Sequence, residues 1–129
     1  MKNLYTYSKE INGSGTIFII KINTNHQIFK GHFPGRPVLP GVCQIQIVKD
    51  IIESEYPKYT SILSSNSIKF LRVIDPNEVG ELKLSLNIDE VEDCGDYKIK
   101  AKAIIYDDDY KFLKMDIKMA ESYNKTVND

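Results

Sequence analysis

Hydrophobic and polar residues alternate through most of the second half of this chain. Leu82, Leu84, Leu86 and Ile88 fall on one side, and Lys83, Ser85 and Asn87 on the other. That is the two-residue period of a strand with one buried face. Strands are predicted over residues 67–74, 81–91, 97–106 and 111–120. Asp75-Pro76-Asn77, Glu92-Asp93-Cys94-Gly95-Asp96 and Asp107-Asp108-Asp109 separate them, and such short connections make neighbours antiparallel. Upstream, residues 16–22 (Thr-Ile-Phe-Ile-Ile-Lys-Ile) are rich in β-branched side chains and predict one more strand.

Between these regions the period changes. Residues 31–41 hold three prolines and three glycines, which excludes regular helix and central strand. From Val42 to about Tyr56, apolar residues fall at 42, 45, 47, 48, 51 and 52, with Lys49, Glu53 and Glu55 elsewhere. This spacing predicts one helix, starting near Gly41 and ending by Pro57, with a broad apolar face packed on most sides. One strand, one buried helix and a run of antiparallel strands is an α+β order. A single sheet curled around the helix satisfies it. No internal repeat, low-complexity tract or linker divides residues 1–129, so a single domain is expected.

Composition narrows the function. Seventeen basic against eighteen acidic residues leave a net charge of −1, which argues against nucleic-acid binding by bulk electrostatics. No segment approaches the roughly 20 apolar residues that span a bilayer, so no membrane partner is expected. Residues 1–11 carry Lys2, Lys9 and Glu10 and lack the apolar run of a secretory signal. The expected location is the cytoplasm, where Cys43 and Cys94 stay reduced. Cys43 reads as a small packed residue rather than a nucleophile, and His26 as an exposed loop histidine. Asp107-Asp108-Asp109 lacks the Gly and Glu spacing of a calcium loop and reads as a hairpin turn. No metal site is expected.

The segment that carries chemistry is Phe29-Lys30-Gly31-His32-Phe33-Pro34-Gly35-Arg36-Pro37-Val38-Leu39-Pro40-Gly41-Val42. It resembles the signature of the bacterial β-hydroxyacyl-[acyl-carrier-protein] dehydratases, Gly-His-Phe-Pro-x-x-Pro-x-x-Pro-Gly-Val, at nearly every fixed position. Ser67-Ile68-Lys69-Phe70-Leu71-Arg72 is similar to that family's second strand. The resemblance implies a hot-dog fold, one long central helix wrapped by a curled antiparallel sheet. It implies a hydro-lyase, a (3R)-3-hydroxyacyl-[acyl-carrier-protein] dehydratase of fatty-acid or polyene biosynthesis. No cofactor is implied, because the substrate rides on the phosphopantetheine of acyl carrier protein or on CoA. Also implied is a site at a subunit interface, in a homodimer, a higher homo-oligomer or a heterodimer with a related dehydratase subunit.

The residues suit that chemistry. Removing water from a β-hydroxyacyl thioester needs a base for the C2 proton, an acid for the C3 hydroxyl and a donor for the thioester oxygen. His32 suits the base, since an imidazole titrates at about 6.5, and the surrounding prolines and glycines make a stiff loop for it. Pro40-Gly41 at the helix start leaves backbone N–H groups at the positive end of the dipole, where an enolate-like oxygen is stabilised. The resemblance gives this oxyanion role to the Gly41 amide and sets Val42, Phe33 and Pro40 around the substrate. It places the acid, a Glu or Asp, fourteen residues after the histidine, and here that residue is Gln46. An amide can orient a hydroxyl but supplies no proton. Asp50 and Glu53 follow on the helix and could stand in, but neither matches the family position and both read better as solvated or paired side chains. Arg36, Lys69 and Arg72 are expected to face an acidic carrier protein or its phosphate.

Three readings remain open on the sequence. The chain is a dehydratase or hydratase in which His32 handles both protons and Gln46 orients the hydroxyl. It is a non-catalytic partner paired with an acid-bearing subunit. Or it is a thioesterase, with Asp50 activating water and Gln46 positioning the carbonyl. The fold permits all three, so the site must decide.

Overall fold

The computed structural model describes the backbone of residues 2–13, 15–30, 35–59, 62–94 and 97–120. It describes their side chains except at 12, 59, 62–66, 90–94, 97, 98 and 120. The elements are β1 (Tyr5–Asn12), β2 (Gly15–Ile22), α1 (Gly41–Glu55), β3 (Ile62–Phe70), β4 (Glu81–Cys94), β5 (Tyr97–Tyr106) and β6 (Lys111–Ala120). The strands form one sheet in the order β1-β2-β4-β5-β6-β3, and every pairing is antiparallel. One long helix against one antiparallel sheet is the α+β arrangement that the residue pattern predicts and the hot-dog fold that the resemblance implies.

The predicted helix and the last three strands fall where the apolar periods put them. Two strands differ from expectation. β1 was not expected, because its sequence Tyr-Thr-Tyr-Ser-Lys-Glu-Ile-Asn alternates aromatic with polar residues and shows no apolar run. Among the described strands it is an edge strand, paired with β2, so it requires one buried side and little hydrophobicity. A turn at Gly13, whose φ is +43°, joins it to β2. Glycine adopts that conformation without steric cost. β3 was expected over 67–74 but runs Ile62–Phe70. Its serine-rich start gains strand structure from pairing with β6, across a bulge between Ser65 and Ser67. Past Phe70, Leu71 N–H donates to Phe112 O at 2.8 Å, and the chain then leaves the sheet.

The core lies between α1 and the sheet. Cys43, Ile47, Val48, Ile51 and Ile52 of the helix are buried with Phe18, Ile20, Leu82, Leu84, Ala103, Ile105, Leu113 and Met115. Buried helix positions therefore recur in pairs every four residues, a single stripe along one face. The stripe is narrower than the apolar count suggests. Val42 is 75% exposed and Ile45 only half-buried, so the helix is not packed on most sides. Gln46, Lys49 and Glu53 share that outer face with Val42 by helical spacing.

Candidate functional site

The proline-rich loop delivers the chain to the start of α1. Leu39 is buried, and its N–H donates to Ile74 O at 2.9 Å, tying the loop to the segment beyond β3. Pro40 is extended, with φ −61° and ψ 150°, and offers no side-chain cap. The N–H groups of Cys43 and Gln44 return to Pro40 O at 3.0 and 3.1 Å. Helix geometry leaves the Gly41 and Val42 amides without an intrahelical acceptor. The resemblance gives the oxyanion role to the first of these, the Gly41 amide.

Gly41 is a glycine for a visible reason. A Cβ there would stand 2.7 Å from the tip of the Phe70 ring, so the ring lies directly on the first turn. Phe70 is itself 51% exposed, and Ile68, Leu71, Val73 and Val42 are exposed beside it in the fold or along the chain. Several apolar side chains near the helix start, in the fold or along the chain, are thus left exposed. Sequence periodicity gave β3 as a strand but carried no sign that Phe70 meets Gly41.

Gln46 is half-buried on the outer face. Its Nε2 donates to Asp50 Oδ1 at 2.7 Å, one helical turn on. The other carboxylate oxygen of Asp50 accepts from the Tyr5 hydroxyl at 3.2 Å, across from β1. Burial, then the Asp50 charge and hydrogen bond, push the Tyr5 phenol well above its usual range, so it stays a donor. Sequence reasoning missed Tyr5, since β1 carried no strand signal and the contact spans 45 residues. Both Asp50 oxygens accept a hydrogen bond from a neighbouring side chain. Glu53 is exposed.

Gln44, two residues before Gln46, is 3% exposed. Its Nε2 donates to Leu39 O at 3.2 Å, while its Oε1 has no partner among the described residues. Cys43 is buried and free, and burial raises its thiol pKa, the behaviour of a packed residue rather than a nucleophile.

The remaining predicted residues separate. His32 and Phe33 lie outside the described residues. Arg36 is exposed in the loop. Arg72 lies with its guanidinium 3.7 Å from the centre of the Tyr110 ring, a cation–π contact. Lys69 is on the outer face of the sheet, in a depression of ≈ 310 Å³ that Lys102 and Lys114 also line. A second depression of ≈ 590 Å³ is lined by Lys2, Asn25 and His26. Neither touches Gly41 or Gln46. His26 differs from its sequence reading: half-buried, it accepts from Ile28 N–H at Nδ1 and meets Lys2 O at Nε2, both at 3.0 Å. It caps a single helical turn. Asp107 does form the hairpin turn, accepting from the N–H groups of Asp109 and Tyr110. Among the described residues no group of three His, Cys, Asp or Glu could hold a metal ion, and no helix is long and apolar enough to cross a membrane.

Comparison with known proteins places the chain in a family. The ApeI-like family, described as ApeI dehydratase, matches residues 8–106. A 3-hydroxyacyl-[acyl-carrier-protein] dehydratase FabZ from Lactobacillus helveticus is 35% identical over 102 residues, covering 72% of this chain and 68% of the relative. The FabZ of Latilactobacillus sakei is 35% identical over 72 residues, 50% of this chain and 51% of that protein. The chain therefore matches between about half and two thirds of the length of these relatives. Among solved structures, the dehydratase heterocomplex ApeI:P from Xenorhabdus doucetiae superposes with a TM-score of 0.66 at 24% identity, over 94% of this chain and 100% of that one. The chain is a hot-dog-fold protein of the ApeI-like dehydratase family.

Proposed function

We propose that this chain is a cytoplasmic 3-hydroxyacyl-thioester dehydratase, taking its substrate from acyl carrier protein without a cofactor. His32 removes the C2 proton and returns it to the departing hydroxyl. The Gly41 amide holds the thioester oxygen, with Phe33, Pro40 and Val42 around the acyl chain, and Gln46 orients the hydroxyl. Arg36, Lys69 and Arg72 are offered to the acidic carrier. Residues 1–129 act as one domain. The observation that carries this reading is the first turn of α1, with ladder-free amides beside the half-exposed Phe70 ring and exposed apolar side chains nearby. A site built this way is completed by a second chain.

A second reading is favoured by Gln46. It offers no proton, its carboxylate neighbour Asp50 already accepts from Gln46 and Tyr5, and the similar ApeI:P assembly is a dehydratase heterocomplex. In that reading the second chain is a related dehydratase subunit that supplies the acid, whereas the first pairs two copies of this chain.

One assay separates them. The purified protein is given a 3-hydroxyacyl carrier protein, and enoyl absorbance and free thiol are followed together. Enoyl formation that disappears in His32→Ala supports the first reading. Enoyl formation only after a related subunit is added supports the second. Thiol release without enoyl formation would make the protein a thioesterase and overturn both.

A further inference from the structure

Asp50 and Tyr5 have no role in the reading above, yet they decide what Gln46 can do. An amide has two unlike ends, a donor NH2 and an acceptor oxygen, and a free glutamine can present either. Here the choice is made by chemistry. An ionised carboxylate only accepts, so the atom 2.7 Å from Asp50 Oδ1 has to be Nε2. The carboxylate in turn cannot rotate away, because Tyr5 donates to its second oxygen at 3.2 Å from a different element of the fold. Tyr5 stacks with Tyr7, ring centres 6.5 Å apart. Tyr7 is anchored to Ser54 and Glu55 at 3.0 and 2.9 Å. The three side chains form one relay, Tyr5 to Asp50 and Gln46 to Asp50, fixed between β1 and α1. Its outcome is that Gln46 Oε1 is the end turned away from Asp50.

We infer that Asp50 and Tyr5 are positioning residues that lock Gln46 as a hydrogen-bond acceptor, making it the group that selects a hydroxylated acyl chain. The inference rests on the proposed placement of Gln46 at the substrate hydroxyl. An acceptor at that position takes the hydroxyl proton in a hydrogen bond and gives nothing to an unsubstituted or carbonyl-bearing C3. A site built for one hydroxyl discriminates against its absence because the acceptor is left unpaired. An unlocked glutamine could turn its NH2 to a 3-oxo group instead and would lose that selectivity.

The test uses two non-cleavable pantetheine amides of one acyl chain, with and without the 3-hydroxyl, titrated by calorimetry into the full-length protein in its native assembly. The parent should bind the hydroxylated amide about tenfold more tightly, as expected for one well-placed hydrogen bond. Asp50→Asn, which can offer Gln46 either a donor or an acceptor, should bring the ratio close to one. Tyr5→Phe should lower it to about threefold. A purely structural role for either residue would weaken both amides together and leave the ratio unchanged, because they share chain and headgroup. Tyr5→Phe carries the test if Asp50→Asn does not fold. Ratios equal to the parent in the variants overturn the inference and leave the dehydratase reading standing. So does a parent that binds both amides equally. A parent that binds neither overturns the dehydratase reading and this inference with it.

Discussion

The two ends of α1 are finished in opposite ways. At the C-terminal end the chain closes on itself: Tyr7 bonds Ser54 and Glu55, and Lys9 meets Glu55 at 3.0 Å. Tyr7 also packs edge-on against buried Phe18. At the N-terminal end Val42 is 75% exposed, Val73 67% and Phe70 51%, and the first amides have no ladder partner. The contrast separates two duties along one helix. The latched end contributes stability, and in the proposed reading the open end contributes chemistry and a surface for another subunit. The Gln46–Asp50 pair stands between them, tied to the latch through Tyr5.

The largest effect should come from breaking the open end. Phe70→Glu combined with Val73→Glu places two charges on the uncovered surface. If that surface is the subunit face, association should weaken by about 10²-fold or more, and sedimentation should show a monomer without dehydratase activity. Helical circular dichroism should persist, because both side chains are exposed in the single chain. An unchanged assembly would move the interface elsewhere.

Gln46→Glu sharpens the middle of the comparison. It restores a proton donor at the implied acid position, and the gain in dehydration should approach about 10²-fold. The new carboxyl lies beside Asp50, and two carboxylates so close retain a shared proton. The gained activity should therefore fall as pH rises through the raised value of the pair. A pH–rate profile identical to the parent would place the acid on another chain.

Gly41→Ala should cost about tenfold in rate with little change in melting temperature. Its methyl displaces the Phe70 ring from the first turn, while alanine gains up to about 1 kcal/mol in helix propensity. Tyr7→Phe should do the reverse, lowering stability by about 1 kcal/mol with little effect on the rate, because the ring stacked on Tyr5 is kept. An activity loss there would mean that the latch and the site are not separate.

The smallest effect is a titration at the latch. Glu55 is held below the usual carboxylate range first by its bond to Lys9 and then by that to Tyr7. A depressed folded-state value stabilises above the ordinary carboxylate range and is lost as pH falls through the depressed value. The pair is on the surface, so the effect is slight and shrinks with salt. Thermal melts of Lys9→Ala and the parent should differ at neutral pH and converge in acid.

Much of the fold was legible because its signals are local. The Leu82–Ile88 alternation, the four-residue recurrence in α1 and the stop at Pro57 each need only neighbouring residues. So did the proline-rich motif that carries the family resemblance, which is a matter of order along the chain. β1 was missed for an instructive reason: an edge strand buries only part of itself. Its turn signal, Asn12-Gly13, was local and went unread. The start of β3 was not local at all, since its serines become strand by pairing with β6.

What only the tertiary structure decided is which atoms meet across long separations. Phe70 lies on Gly41 because β3 and the helix start are brought side by side. Tyr5 reaches Asp50 across 45 residues because β1 runs along the helix flank. The outward placement of Val42 and Gln46 follows from which stripe of α1 the sheet buries. Sequence determines a side chain's chemistry and period, but a site depends on distances between elements, which packing alone sets.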